Sequence, residues 1–347
     1  MALTFTKQRL SQTLFRIRSN IKMADMTRFM IISDTHNLEF KEGTIFPFRL
    51  PAPKVDVILH CGDITQIGGA SYYKKALKML GALNAELKLI IAGNHDVDLD
   101  KEYCPSYKNR EHSQEQRKEE HEEAMEVMTG PLAKESGITY LFEGTHTFTL
   151  KSGATFTVYA SPYTPEFSRW GFPYEHHEDR FNTSEQIPKD QLSPKGKPVK
   201  SIAVNPILSF PDVHIVMTHG PPRFIMDEYR SGRAGCENLL RAVSRARPLL
   251  HCFGHIHEGH GATMVTWKAQ LGKKPLDHVF SGGSSEAGTF KVEVGEEIKQ
   301  MNCYPDEATP GPLAHGKKTL FVNAAIRDGG YNPSNPAWLV DLKLPKA

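Results

Sequence analysis

Cysteine is scarce in this chain, and long apolar runs are missing altogether. The five cysteines (Cys61, Cys104, Cys236, Cys252 and Cys303) are scattered, odd in number and without a C-x-x-C spacing. That argues against a disulfide framework and for free thiols in a reducing compartment. No stretch approaches the roughly 20 apolar residues that a membrane-spanning helix needs. An excess of one charge is absent too: 42 basic against 40 acidic residues leave a formal charge of +2. Such a balance gives no electrostatic case for nucleic acid or an anionic membrane as the main partner. A nuclease would need a basic channel, and the densest basic cluster lies in the N-terminal tail. No G-x-S-x-G turn is present for a nucleophilic serine. No P-loop occurs, and no G-x-G-x-x-G follows a strand.

That tail, residues 1–24, has no acidic residue but carries Lys7, Arg9, Arg16, Arg18 and Lys22. Leu10, Leu14, Phe15, Ile17 and Ile21 could line one helical side. We read residues 1–27 as a basic extension, either disordered or a mitochondrial transit peptide. Translation starting at Met23 or Met26 is a further reading. A cytoplasmic location is the default expectation, and a mitochondrial one follows if residues 1–24 act as a targeting signal. Residues 28–347 are expected to form one domain. A chain of this size can bury a substantial core without staples.

What the chain does have is a series of short apolar runs, at 28–33, 55–61, 87–92, 155–160, 213–218, 249–254, 319–323 and 338–342. Unbroken apolar character fits strands buried on both faces. Helical spacing follows several of them, at Tyr73, Ala76, Leu77 and Leu80, and at Leu239, Leu240 and Val243 before Pro248. The alternation predicts a mostly parallel sheet covered by helices. Residues 110–126 are dense in charge without Pro or Gly, which predicts a solvated helix. Residues 164–206 hold six prolines, and 188–200 should be an exposed or mobile loop.

Five of the runs end in metal-ligand residues: Ser33-Asp34-Thr35-His36, Gly62-Asp63, Gly93-Asn94-His95-Asp96, His219-Gly220 and Gly254-His255-Ile256-His257. Ligands just past strands sit on rigid supports, at the edge where open α/β sheets build their sites. Asp34 and His36 point the same way if their segment is extended. Asp63 can bridge two cations, and Gly62 removes a side chain where they must approach. Asn94 adds a neutral oxygen. Four imidazoles favour transition metals over Ca or Mg. Asp34, His36, Asp63, Asn94, His219, His255 and His257 make two sites of four ligands if Asp63 is shared. Two such ions lower the pKa of a bound water towards 7 and neutralise phosphoryl oxygens during in-line displacement.

His95 is read as facing away from its ligand neighbour, as a group that contacts phosphate or assists the leaving oxygen. Asp96 is expected to hold its imidazole by a hydrogen bond, so His95 and Asp96 form the catalytic pair. His60 is read as core or supporting, and His176-His177 as solvated. His260 is a minor candidate for substrate contact.

This ordered set resembles the calcineurin-like metallophosphoesterase superfamily, whose blocks run D-x-H, G-D, G-N-H-[D/E], H and G-H-x-H. Further segments resemble its metallophosphoesterase-domain-containing (239AB-like) group. They are Ser161-Pro162-Tyr163, Trp170-Gly171-Phe172, Met217-Thr218-His219-Gly220-Pro221-Pro222, Phe253-Gly254-His255-Ile256-His257-Glu258-Gly259, Phe321-Val322-Asn323-Ala324 and Asn335-Pro336. The resemblance covers about residues 28–343. It implies an α/β fold of four layers, α/β/β/α, with two mixed β-sheets flanked by helices. It implies one metal on Asp34, His36, Asp63 and His257, a second on Asp63, Asn94, His219 and His255, and His95 as the catalytic histidine. Two divalent or trivalent ions, manganese, iron or zinc, are the implied cofactors. The implied activity is a dinuclear phosphoesterase acting on small phosphodiesters, cyclic nucleotides among them. Some relatives have lost a histidine of the G-H-x-H block and are weak catalysts, so a binding or scaffold role is the alternative. Both histidines are present here. The 164–206 region is longer than the family pattern.

Overall fold

The computed structural model describes residues 23–39, 47, 50–102, 113–230, 232–267, 290–291, 306–307 and 315–347. The basic tail before Met23, together with Cys104 and Cys303, lies outside them. Strand β1 (Met23–Ile32) begins five residues ahead of the expected domain boundary. It is followed by β2 (Val57–His60), helix α1 (Ala70–Gly81) and β3 (Leu87–Ile90). Helices α2 (Gln114–Thr129) and α3 (Pro131–Glu135) lead to β4 (Ile138–Tyr140). Then come β5 (Gly144–Thr149), β6 (Thr155–Ser161), β7 (Ile215–Thr218), α4 (Glu237–Ala246) and β8 (Leu250–Phe253). Strands β9 (Gly261–Thr266), β10 (Lys318–Asn323) and β11 (Trp338–Pro345) close the chain.

These strands make two sheets, not the one that alternation alone predicts. The first has Asp306–Glu307 at its edge and continues β11-β1-β2-β3-β4. In it β1, β2, β3 and β4 run parallel, while β11 lies antiparallel to β1. The second has Phe290–Lys291 at its edge and continues β9-β10-β8-β7-β6-β5. There β6, β7, β8 and β10 are parallel, and β5 and β9 flank them antiparallel. Both sheets are mixed because antiparallel strands join the parallel ones: β11 beside β1 in the first, and β5 beside β6 and β9 beside β10 in the second. The expectation missed β4, β5 and β9; β5 alternates in exposure, as an outer strand does, and is not a buried run.

Three apolar layers hold the halves together. Between the sheets, Phe29, Ile31, Val57 and Leu59 meet Phe156, Val158, Ile215 and Met217. Cys61 and Cys252 sit in this layer as free, fully buried thiols. On the outer face of the first sheet, Ile58 and Ile90 pack with Tyr73, Leu77 and Leu80 of α1 and Val127 and Met128 of α2. On the outer face of the second, Val216 and Phe253 pack with Leu239, Leu240 and Val243 of α4. The order is therefore helices, sheet, sheet, helix: the four-layer α/β/β/α sandwich. Helix α1 buries Tyr73, Ala76, Leu77 and Leu80 as one stripe, as an element covering a sheet does, whereas α4 is buried on nearly all sides. Helix α2 is capped by Ser113, whose Oγ accepts from the Gln116 amide while Gln116 Oε1 accepts from the Ser113 amide.

The 164–206 region crosses the end of the second sheet. Its short bridges join Thr164–Pro165 to Pro173–Tyr174, and Glu178–Asp179 to Lys200–Ser201. Arg180 pins it to Glu143, with Nη2 2.8 Å from Oε2. Asn182 Nδ2 donates to the Asn238 carbonyl at 2.9 Å, tying the region to α4. The stretch from 188 to 200 is largely exposed, as expected, yet the bridge between Leu192 and Pro198 folds it back on itself.

Candidate metal centre

All five ligand segments follow the C-terminal ends of parallel strands, and the two sheets deliver them to one place. Strands β1, β2 and β3 lead into Asp34 and His36, Asp63, and Asn94 with His95; β7 and β8 lead into His219 and into His255 with His257. The turns are tight. Asp34 (φ 58°), His36 (φ 43°), Asp63 (φ 53°) and His255 (φ 66°) all lie in the left-handed region. Strain held at a site by surrounding structure is a common companion of function. Asp34 and His36 thus converge by a turn and not by extended backbone, which corrects the geometric premise of their pairing. Close approach is enforced by glycine. A Cβ on Gly62 would lie 2.5 Å from the Ala92 carbonyl oxygen and 2.7 Å from His219 Nδ1. One on Gly254 would overlap the Asp34 carboxylate and the Ser33 hydroxyl.

His36 Nε2 lies 3.3 Å from His257 Nε2, 3.6 Å from Asp63 Oδ2 and 3.9 Å from Asp34 Oδ1. His257 Nε2 is 3.4 Å from Asp34 Oδ1. Across the centre, His219 Nε2 is 2.8 Å from Asn94 Oδ1 and 3.3 Å from Asp63 Oδ1. His255 joins this second group, its ring centroid 5.0 Å from that of His219. The two oxygens of Asp63 are divided between the two groups.

Whether these residues fit metal ions is settled by their lone pairs. His219 Nδ1 lies 2.8 Å from the Cys61 carbonyl, which can only accept, so Nδ1 carries the hydrogen. In its neutral form His219 would present a lone pair at Nε2 to the oxygens of Asn94 and Asp63, which are acceptors as well. His36 repeats this pattern: Nδ1 donates to the Thr65 carbonyl at 3.2 Å, and Nε2 faces Asp34 and Asp63. Converging acceptors need cations between them, and ring hydrogens fixed on carbonyls are how metal-binding histidines are oriented. Burial pushes His36 and His255 down to about 3, which keeps both imidazoles neutral. Burial also opposes charge on His219, but Asp63 outweighs it and lifts His219 to about 9, so that its proton stands where a cation would. Asp34, His36, Asp63, His219 and His257 fall into three overlapping groups whose ligand atoms lie within 4.8 Å of one another; one group brings in His95.

Hydrogen bonds lock the segments to each other. The Asp34 carboxylate accepts from the His255 amide at 3.0 Å, and Asp63 Oδ1 accepts from the His95 amide at 2.8 Å. His60 is a supporting residue, as expected. Its Nδ1 accepts from the Gly62 amide, and its Nε2 donates to Thr35 Oγ1 at 3.0 Å.

Asp96 is not where the sequence reading put it. Its carboxylate accepts from the amides of Ile64, Thr65 and Gly93 and from Thr65 Oγ1, at 2.9 to 3.1 Å. It ties the second segment to the third and makes no bond to His95. Burial raises this carboxyl to about 7, with Asp63 adding to the rise. His95 Nδ1 instead donates to the Gln66 carbonyl at 2.7 Å. Its Nε2 faces inward, 4.0 Å from Asp63 Oδ2, because Asn94-His95 is a turn and not an extended segment.

A cavity of about 510 Å³ opens over this centre. Its wall holds residues that sequence reasoning missed or misread. Trp170 stacks on His95 at 3.9 Å, Phe167 meets the His255 ring at 5.0 Å and Tyr331 meets His257 at 4.7 Å. His176, expected to be solvated, lines the cavity. His260 does not; it bonds the Pro336 carbonyl and stacks on Trp338. Arg327 donates to the carbonyls of Thr35 and His36, and Asn323 Nδ2 to that of Ile256. The Asn323 motif could have signalled its clamp; nothing around Arg327 or Tyr331 could.

Residues 27–259 match the calcineurin-like phosphoesterase family. The chain belongs to that family. It is 31% identical to metallophosphoesterase domain-containing protein 1 of Homo sapiens, over 92% of this chain and 72% of that protein. A UPF0046 protein of Caenorhabditis elegans is 28% identical over 67% of this chain and 64% of its own length. Among solved structures, phosphopantetheinyl hydrolase from Mycobacterium tuberculosis aligns with a TM-score of 0.38 at 14% identity, covering 70% of this chain and 85% of that one. The family and the clustered His and Asp groups make this chain a metal-dependent phosphoesterase. No helix among the described residues is long and apolar enough to cross a membrane.

Proposed function

We propose that this protein hydrolyses small phosphodiesters, cyclic nucleotides being one candidate, at a dinuclear centre. One observation carries the reading: Asp63 offers Oδ2 to the group of His36 and Oδ1 to the group of His219. Asp34, His36, Asp63 and His257 would hold one ion, and Asp63, Asn94, His219 and His255 the other. Manganese, iron and zinc all suit this nitrogen and oxygen set. Ions held there supply a nucleophilic water at neutral pH and positive charge against the phosphoryl oxygens.

The chain's own residues do the rest. Neutral His36 and His255 keep their lone pairs for the ions. His95, its Nδ1 hydrogen held on Gln66, presents Nε2 to the cavity; in its imidazolium form, with both ring nitrogens protonated, it gives the Nε2 proton to the departing alkoxide and is left as the neutral Nδ1–H ring. Trp170 covers the imidazole and fixes its plane. Asp96 positions the two turns that carry Asp63 and His95 and exchanges no proton with substrate.

Protein loaded with Mn should cleave bis-(p-nitrophenyl) phosphate, and Asp63→Ala should lower kcat by at least about 1,000-fold with loss of bound metal. Equal rates for the two proteins would refute the assignment.

A further inference from the structure

Beside the metal cavity lies a second chamber of about 200 Å³, and the two meet at Pro165, His176 and Ala234. The 164–206 region builds most of its wall. Tyr174, Leu192, Pro194 and Val199 give that wall an apolar character. Both of its arginines already stand beside carboxylates, although Arg223 Nε makes no hydrogen bond there. Arg223 Nε is 3.4 Å from Glu237, and Arg233 is paired at 2.7 Å with Asp227 and 2.6 Å with Glu228. A second anionic group would have to break one of these pairs, so the chamber fits a neutral occupant. An apolar cavity of about 150 Å³ accepts benzene, so this one has room for a single substituted ring.

We propose that the chamber is a subsite for one ester arm of a phosphodiester: a neutral, ring-sized alcohol that stays on phosphorus. This rests on the phosphodiesterase reading above. The retained arm is the one assigned here because the chamber wall contains neither His95 nor Trp170, which mark the departing side. His176, at the junction, is the specificity-determining residue that the retained arm must pass. The 164–206 region thereby sets which diesters are taken.

Two substrates that release the same leaving group separate the effects: bis-(p-nitrophenyl) phosphate, whose retained arm is a ring, and methyl p-nitrophenyl phosphate, whose retained arm is small. Leu192 is 56% exposed, so Leu192→Trp narrows the chamber without disturbing the core. We expect Leu192→Trp to raise KM for the bis-aryl ester at least about ten-fold, with kcat/KM for the methyl ester within about two-fold of wild type. Val199→Trp should repeat this split, and His176→Ala should lower KM for diesters with bulkier neutral retained arms. An equal fall on both esters, or no change on either in both Trp variants with unaltered melting temperature, overturns the subsite. Failure of the wild type on both esters would instead remove the phosphodiesterase reading itself.

Discussion

At Asp63 a single side chain serves three neighbours: His36 through Oδ2, His219 through Oδ1, and the His95 amide, also on Oδ1. A carboxylate with only bulk water around it would gain nothing from such company; burial and converging acceptors make it a bridge. His95 depends on its neighbours in a different way. The Gln66 carbonyl sets its tautomer, and Trp170 sets its plane. Trp170→Ala should therefore lower kcat by about ten-fold while leaving KM and metal content near wild type, since only a part of the acid–base contribution is lost. Steady-state kinetics with metal analysis will check this. A fall in metal content matching the fall in kcat would show that Trp170 supports the ligands instead.

At the scale of elements, the turns after β1, β2, β3, β7 and β8 matter more than the strands. Each strand is ordinary; the turns after β1, β2, β3 and β8 place a polar residue at positive φ or a glycine in close contact, and after β7 Gly220 lies against the Thr164 side chain. Gly254→Ala should destabilise the fold by about 3 kcal/mol, the upper range for overpacking, and should loosen Asp34. Chemical denaturation and metal binding will report both. Much of this was legible in the residues. The ligand set, its place past the strands, and α1 and α4 could be read because buried strands and amphipathic helices leave periodic patterns. The details of the turns could not. Asp34-Thr35-His36 reads as extended until Arg327, nearly three hundred residues away, is seen holding its carbonyls. Asp96 reads as a partner for adjacent His95 until the amides of Ile64 and Thr65 are brought beside it. His176 reads as solvated because no local pattern records that 164–206 folds over the centre.

Across the whole molecule, buried neutral histidines lie behind the ligand residues as well as among them. Burial pushes His251 down to about 3 and His260 to about 4, from 6.5. His251 Nε2 donates to Thr218 Oγ1, while Nδ1 has no partner for a second proton. The unfolded chain thus binds protons that the folded one refuses. Their contribution is fully present above pH 6.5 and is lost as pH falls towards 3–4. Between pH 6.5 and 5 each histidine should cost about 2 kcal/mol, from 1.36 kcal/mol per unit. His251→Phe should flatten the dependence of unfolding free energy on pH in that window, as read by urea titration. An unchanged slope would contradict the assignment.

The arrangement of ligands on two sheets has a kinetic corollary. Asp34 and His257 meet at 3.4 Å from opposite ends of the central sequence, and so do His36 and His257. Contacts between residues so distant along the chain form late, after the loop between them has been closed at an entropic cost. A nascent chain that has emerged only through β6 holds Asp34, His36, Asp63, Asn94 and His95 but lacks His219, His255 and His257. Metal capture should therefore report completion of the second sheet, which makes the ion a timer of folding as well as a reagent.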